Sequence, residues 1–156
     1  MVRKTTGIPG LDGMLQGGFP FPCAVLVAGE PGTGKTTFAV QSLFHGAHQG
    51  EKGLYITALS EPQWLVQKFL SSFTFYDQQM VEKGLVNFVD IGPTLTKNPG
   101  DMLSTIKKKI ESYQPQRIII DPITPMTDML QWRGETREFM HYLLGYLKAF
   151  NCLVII

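Results

Sequence analysis

The run Gly29-Glu30-Pro31-Gly32-Thr33-Gly34-Lys35-Thr36 has the residue types and spacing needed to hold a chain of phosphates. Its glycines let the backbone curl until successive N–H groups face inward as a nest for anions, and a helix opening near Lys35 adds the positive end of its dipole. The Lys35 ammonium can reach the β- and γ-phosphates of a nucleoside triphosphate, and Thr36 offers a hydroxyl to Mg²⁺. The order matches G-x-x-x-x-G-K-S/T, a pattern that carries weight here because a strand-like run precedes it and a helix-like pattern follows. Gly29, Glu30, Pro31, Gly32, Thr33, Gly34, Lys35, Thr36 and Thr37 are therefore expected to line bound ATP, with Lys35 also serving catalysis. Glu30 would face phosphate charge from inside the loop, so its side chain is expected to turn to solvent.

A second motif is Arg117-Ile118-Ile119-Ile120-Asp121, an apolar strand that ends in a carboxylate. Downstream of a phosphate-binding loop, Asp121 is expected to hold the hydration shell of the Mg²⁺ that Thr36 also ligates. Pro122 follows Asp121, so no adjacent acid can activate water and the base must come from elsewhere. Glu61 is the best candidate, because it lies just beyond the second strand, at the edge where open parallel sheets gather ligands. The same position also suits an acid favoured by a helix dipole in its first turn. No N-K-x-D element or D-x-x-G switch is present to serve a guanine-nucleotide protein, and no arginine-bearing insertion provides the lid of a small-molecule kinase.

These residues need a scaffold, and five β-type runs alternate with four helix-type stretches without repeats, low-complexity segments or long linkers. That alternation predicts an α/β fold with helices on both faces of a parallel sheet. The strands are expected over residues 24–28, 54–58, 86–91 and 117–121, with a fifth in the final run Cys152-Leu153-Val154-Ile155-Ile156. After the phosphate loop, Ala39, Val40, Leu43, Phe44 and Ala47 recur at helical spacing and leave Gln41, His45 and His48 on a solvated face. Ser60 and Gln63 read as a capping box that opens a helix through about Ser72. Residues 93–100 read as a loop, followed by a helix burying Leu103, Ile106, Ile110 and Tyr113. Residues 122–133 read as a Pro-rich loop. The last helix carries Phe139, Leu143, Tyr146 or Leu147, and Phe150.

The 156 residues suit a single domain over 1–156, and a net charge of +1 supplies no broad field toward nucleic acid or anionic membrane. No apolar run approaches the roughly 18 residues of a membrane span, and the start has no secretory pattern, so a cytoplasmic protein is expected. Cys23 and Cys152 open apolar runs and are expected as free buried thiols. The chain stops inside an apolar run, which reads as a truncation with C-terminal strands missing. His45 and His48 have a spacing that could hold a metal but are expected as surface residues, as are Lys107, Lys108 and Lys109. Arg133 and Arg137 beside Glu135 and Glu138 suggest surface ion pairs.

The order Thr6-Gly7-Ile8-Pro9-Gly10-Leu11-Asp12, then Gly17-Gly18-Phe19-Pro20, then Gly29 to Thr36, resembles the KaiC branch of the RecA superfamily of P-loop ATPases. The resemblance covers nearly the whole chain, more weakly between Ser71 and Asn98. It implies a three-layer α/β/α sandwich with a RecA-like sheet in which the second strand neighbours the fourth and the fifth lies between the first and fourth. That order brings Glu61 beside Asp121. It also implies ATP and Mg²⁺ as ligands, and hydrolysis within a homo-oligomeric ring or filament whose neighbouring subunit reaches the nucleotide with a cation. Clock-type relatives carry two adjacent glutamates after the second strand, whereas this chain has Leu59-Ser60-Glu61-Pro62, with Glu61 aligned to the second.

Residues 122–133 match the region where recombinase relatives carry DNA-binding loops, but here Arg133 is the sole basic residue. DNA binding is therefore not expected. The alternatives to an oligomeric ATPase are a nucleotide-dependent signalling or scaffold module with little hydrolysis, which could act on a protein partner, and a recombinase-like DNA-binding ATPase.

Overall fold

The computed structural model describes residues 2–58, 63–94, 98–131 and 135–156, and in it the five apolar runs become one parallel sheet. Along the chain, β1 (Arg3–Lys4), α1 (Leu11–Met14) and β2 (Phe19–Pro20) form a small antiparallel entry segment. There follow β3 (Cys23–Val25), α2 (Lys35–His48), β4 (Gly53–Thr57), α3 (Gln63–Leu70), α4 (Gln78–Glu82) and β5 (Val86–Asp90). The chain continues through α5 (Pro99–Tyr113), β6 (Arg117–Ile120), α6 (Thr124–Gln131), α7 (Thr136–Ala149) and β7 (Leu153–Ile155).

The main sheet runs β3-β7-β6-β4-β5, with every neighbouring pair parallel. This is the order implied by the resemblance: the second long strand neighbours the fourth, and the fifth lies between the first and fourth. Alternation along each strand divides the core into two layers, as a period of two requires. Ile118, Ile120, Leu54, Ile56 and Val154 pack with α5, α6 and α7 on one face. Ile119, Tyr55, Leu153 and Ile155 pack with α2 and the segment around α4 on the other.

Several sequence expectations need correction. Residues 122–133 are not a loop throughout, since α6 occupies Thr124–Gln131. Pro125 falls in the first turn of α6, where its missing N–H costs no intrahelical bond, while Met126 and Leu130 bury one turn apart. The expected loop at 93–100 ends early: Asn98 caps α5 by accepting from the Asp101 N–H at 2.9 Å, and the helix starts at Pro99. The helix after β4 stops at Leu70, and the Ser60 half of its expected capping box lies outside the described residues. The first strand is shorter than 24–28, although Val27 N–H still bonds the Ile156 carbonyl at 2.8 Å.

The face of α2 expected to be solvated is partly covered. Gln41 donates to the Gly7 carbonyl at 2.8 Å, and His45 Nε2 lies 2.7 Å from Thr5 Oγ1, while His48 remains exposed. Arg137, Glu135 and Glu138 are exposed without an ion pair among them, because residues one or two apart on a helix do not face each other. Arg133 lies outside the described residues. Lys108 and Lys109 are exposed as expected, and Lys107 sits over the Tyr146 ring at 4.9 Å. Cys23 and Cys152 are both free thiols, the first half-buried and the second buried, and burial pushes Cys152 up to about 11. No helix among the described residues is long and apolar enough to cross a membrane.

Candidate functional site

The loop between β3 and α2 is shaped by its own hydrogen bonds. Thr33 reaches the Glu30 carbonyl twice, by its N–H at 3.3 Å and by Oγ1 at 2.8 Å. Gly34 caps α2 at φ 90°, a left-handed conformation that a side chain resists, and it contributes no side chain to the helix's open N–H groups. The first turn of α2 also has no acid, so its positive end is left for an external anion. Lys35 folds back over the loop and its ammonium donates to the carbonyls of Gly29 and Glu30 at 2.8 and 2.9 Å. The carboxylate of Glu30 is exposed, as expected.

This loop opens onto a cleft of about 1140 Å³ at the carboxyl ends of the strands, where open α/β sheets place ligands. Gly29, Pro31, Gly32, Lys35, Thr36 and Asp121 all line it. Gly34 and Thr37 line a smaller depression beside it, together with Lys35, Thr36 and Phe69 of α3. The expected base, Glu61, lies outside the described residues.

Asp121 reaches the cleft because β6 ends one residue earlier, and its N–H still bonds the Ile56 carbonyl of β4 at 3.0 Å. The Tyr55 hydroxyl donates to Asp121 Oδ2 at 3.3 Å and to its carbonyl oxygen at 3.4 Å. Tyr55, Thr57, Lys68 and Phe69 line the cleft, and sequence reasoning did not single out any of them. The alternation of β4 carried a signal for Tyr55 and Thr57, which share a face two residues apart. Nothing local announced that this face meets the end of β6.

The opposite end of α2 is held by a buried charge. Arg117, at the start of β6, is fully buried and donates to Glu51 Oε2 at 3.0 Å, to the Ser42 carbonyl and hydroxyl at 2.7 and 2.9 Å, and to the Thr5 carbonyl at 3.2 Å. Lys4 pairs with the other oxygen of Glu51 at 2.6 Å. Gly46 permits this packing, since a Cβ there would sit 2.6 Å from Glu51 Oε2 and 2.8 Å from Arg117 Nε. Burial pulls the guanidinium pKa down, while Glu51 and then Asp12 push it back up. The entry segment is thus tied to α2, whose first turn borders the phosphate loop.

Comparison with known proteins agrees with this architecture. The family model for the KaiC ATPases matches residues 4–156. The chain is 33% identical to a UPF0273 protein of Methanopyrus kandleri over 99% of its own length and 66% of that protein. It is 30% identical to the circadian clock protein KaiC3 of Synechocystis over 98% of its length, but spans only 32% of that relative. The crystal structure of a KaiC-like protein from Pyrococcus horikoshii superposes with a TM-score of 0.84 at 30% identity, covering 99% of this chain and 68% of the other.

Proposed function

The chain belongs to the KaiC ATPase family, and on that premise we propose that it binds Mg-ATP in the cleft beneath the phosphate loop and hydrolyses it within an oligomer. One observation carries the reading. Lys35 and Thr36, which follow β3, and Asp121, which follows β6, line a single cleft, although about half the chain separates them in sequence. In this reading, the loop N–H groups and the start of α2 receive the β-phosphate, and Lys35 leaves its carbonyl partners to receive the γ-phosphate. A hydroxyl and a carboxylate are the hard oxygen donors that suit Mg²⁺, so Thr36 and Asp121 fit that ion. Bound there, Mg²⁺ supplies positive charge to the phosphate oxygens. Glu61 takes the proton of the attacking water, and a cation from a neighbouring subunit completes neutralisation of the phosphate. Recognition of DNA is not part of this reading, since residues 122–133 carry Arg133 as their sole basic residue.

The test is nucleotide titration followed by phosphate release. Saturable binding of ATP that strengthens with Mg²⁺, with release of phosphate that depends on oligomer formation, is the expected result. A protein that binds no nucleotide would end the reading. One that binds but never turns over would favour the signalling or scaffold alternative.

A further inference from the structure

Asp121 is held by two different groups of β4, and one of them is a side chain with no role in the function proposed above. Tyr55 is only 4% exposed, and its ring packs against Phe88 at 5.3 Å between centroids. Tyr55 and Asp121 both line the cleft, and the Tyr55 hydroxyl donates to Asp121 Oδ2 at 3.3 Å and shares its proton with the Asp121 carbonyl oxygen at 3.4 Å. The backbone of the same residue is secured by the bond from Asp121 N–H to Ile56. Main chain and carboxylate are thus both referenced to one strand, 66 residues away in sequence.

We infer that Tyr55 is a positioning residue that sets which oxygen Asp121 presents to the metal–nucleotide complex, an inference that rests on the functional reading above. With Oδ2 engaged by the phenol, Oδ1 is the oxygen that remains for the water shell of a divalent cation. A carboxylate whose rotation is restrained loses less entropy when it engages that shell, which is how groups behind a metal ligand raise affinity. Both contacts are long for an O–H donor and are shared, so the hydroxyl tunes the site and does not create it. Its loss is expected to act on the metal requirement and to leave nucleotide binding without metal intact.

The experiment compares the parent protein with Tyr55→Phe, Asp121→Asn and the double variant, using a fluorescent ATP analogue titrated without Mg²⁺ and across a range of Mg²⁺ concentrations, with melting recorded alongside. Tyr55→Phe keeps the ring against Phe88. It is expected to retain the parent melting temperature and metal-free affinity and to raise the half-saturating Mg²⁺ concentration by about tenfold, the lower end for groups behind metal ligands. In the Asp121→Asn background the same change is expected to add nothing. An unchanged Mg²⁺ midpoint, an equal loss of metal-free affinity, or an undiminished effect in the double variant overturns this inference alone. A parent protein that binds no nucleotide overturns the functional reading and this inference with it.

Discussion

Arg117 and Glu51 meet at 3.0 Å across 66 residues of sequence, and the guanidinium in that pair is fully buried. A buried charge that loses its partner costs far more than the pair contributes, because the remaining ion keeps its desolvation penalty. Glu51→Ala is therefore expected to destabilise the fold by about 3 kcal/mol or more. For a domain of this size that is a melting decrease of roughly 6–12 °C. Thermal melting of the ligand-free protein measures it, and a loss under ~1 kcal/mol would mean that water or Ser42 and Thr5 alone suffice for the guanidinium.

The pH response of the entry segment follows from His45. Burial, and next the charge of Arg117, lower its pKa below the ordinary 6.5, with His48 acting in the same direction and Asp12 and Glu51 opposing. The folded state then binds fewer protons than the unfolded chain at mildly acid pH. The contribution of His45 to stability is complete above pH 6.5 and is lost as pH falls through 6.5 toward the lowered folded value. Gln49 donates to the same ring nitrogen that faces Thr5, at 3.1 Å, so protonation there also removes an acceptor. His45→Gln is expected to flatten the dependence of melting on pH between neutral and mildly acid conditions. An unchanged slope would exclude His45 as its source.

Lys35→Ala is expected to abolish most of the stabilisation that nucleotide provides. At about 100 times the dissociation constant, a ligand that binds only the folded state contributes roughly 2.7 kcal/mol. The parent protein should show that shift with Mg-ATP, and the variant should not. A full shift in the variant would move the phosphate site away from this loop.

Glu61→Gln in an assembled protein is expected to leave nucleotide affinity nearly unchanged while lowering turnover by about 10²- to 10⁴-fold, the range for a positioned general base. The motive is the absence of a carboxylate next to Asp121, where Pro122 stands. Phosphate release under single-turnover conditions separates the chemical step from binding. Unchanged turnover would return Glu61 to a helix-capping role.

Affinity for duplex or single-stranded DNA is expected to be weak and to fall steeply with added salt, since a net charge of +1 offers few phosphate contacts. Submicromolar binding at physiological ionic strength, read by fluorescence anisotropy, would contradict this and revive the recombinase reading.

Local chemistry made part of this protein legible from its sequence. The phosphate loop depends on glycines and a helix start that lie next to one another, so eight consecutive positions specify its shape. The strands at β4 and β6 were visible because a strand buried on both faces reads as a continuous apolar run. The sheet order, by contrast, came from resemblance, because nothing in periodicity says which strands pair. Where a residue's environment depends on distant partners, the sequence alone misled or was silent. Arg117 stands in the sequence only as the first residue of the run ending in Asp121, yet it is buried because Glu51, Ser42 and Thr5 converge on it from separate segments. His45 read as solvated because its helix was judged by its own spacing, and Thr5 covers it from 40 residues away. Tyr55 lies within the strand expected over 54–58 and drew no separate reading, and only the adjacency of β4 and β6 sets its hydroxyl against Asp121. Bonds between neighbours along the chain are encoded by type and spacing, whereas the desolvation and pairing of a polar group are set by whatever the fold packs against it.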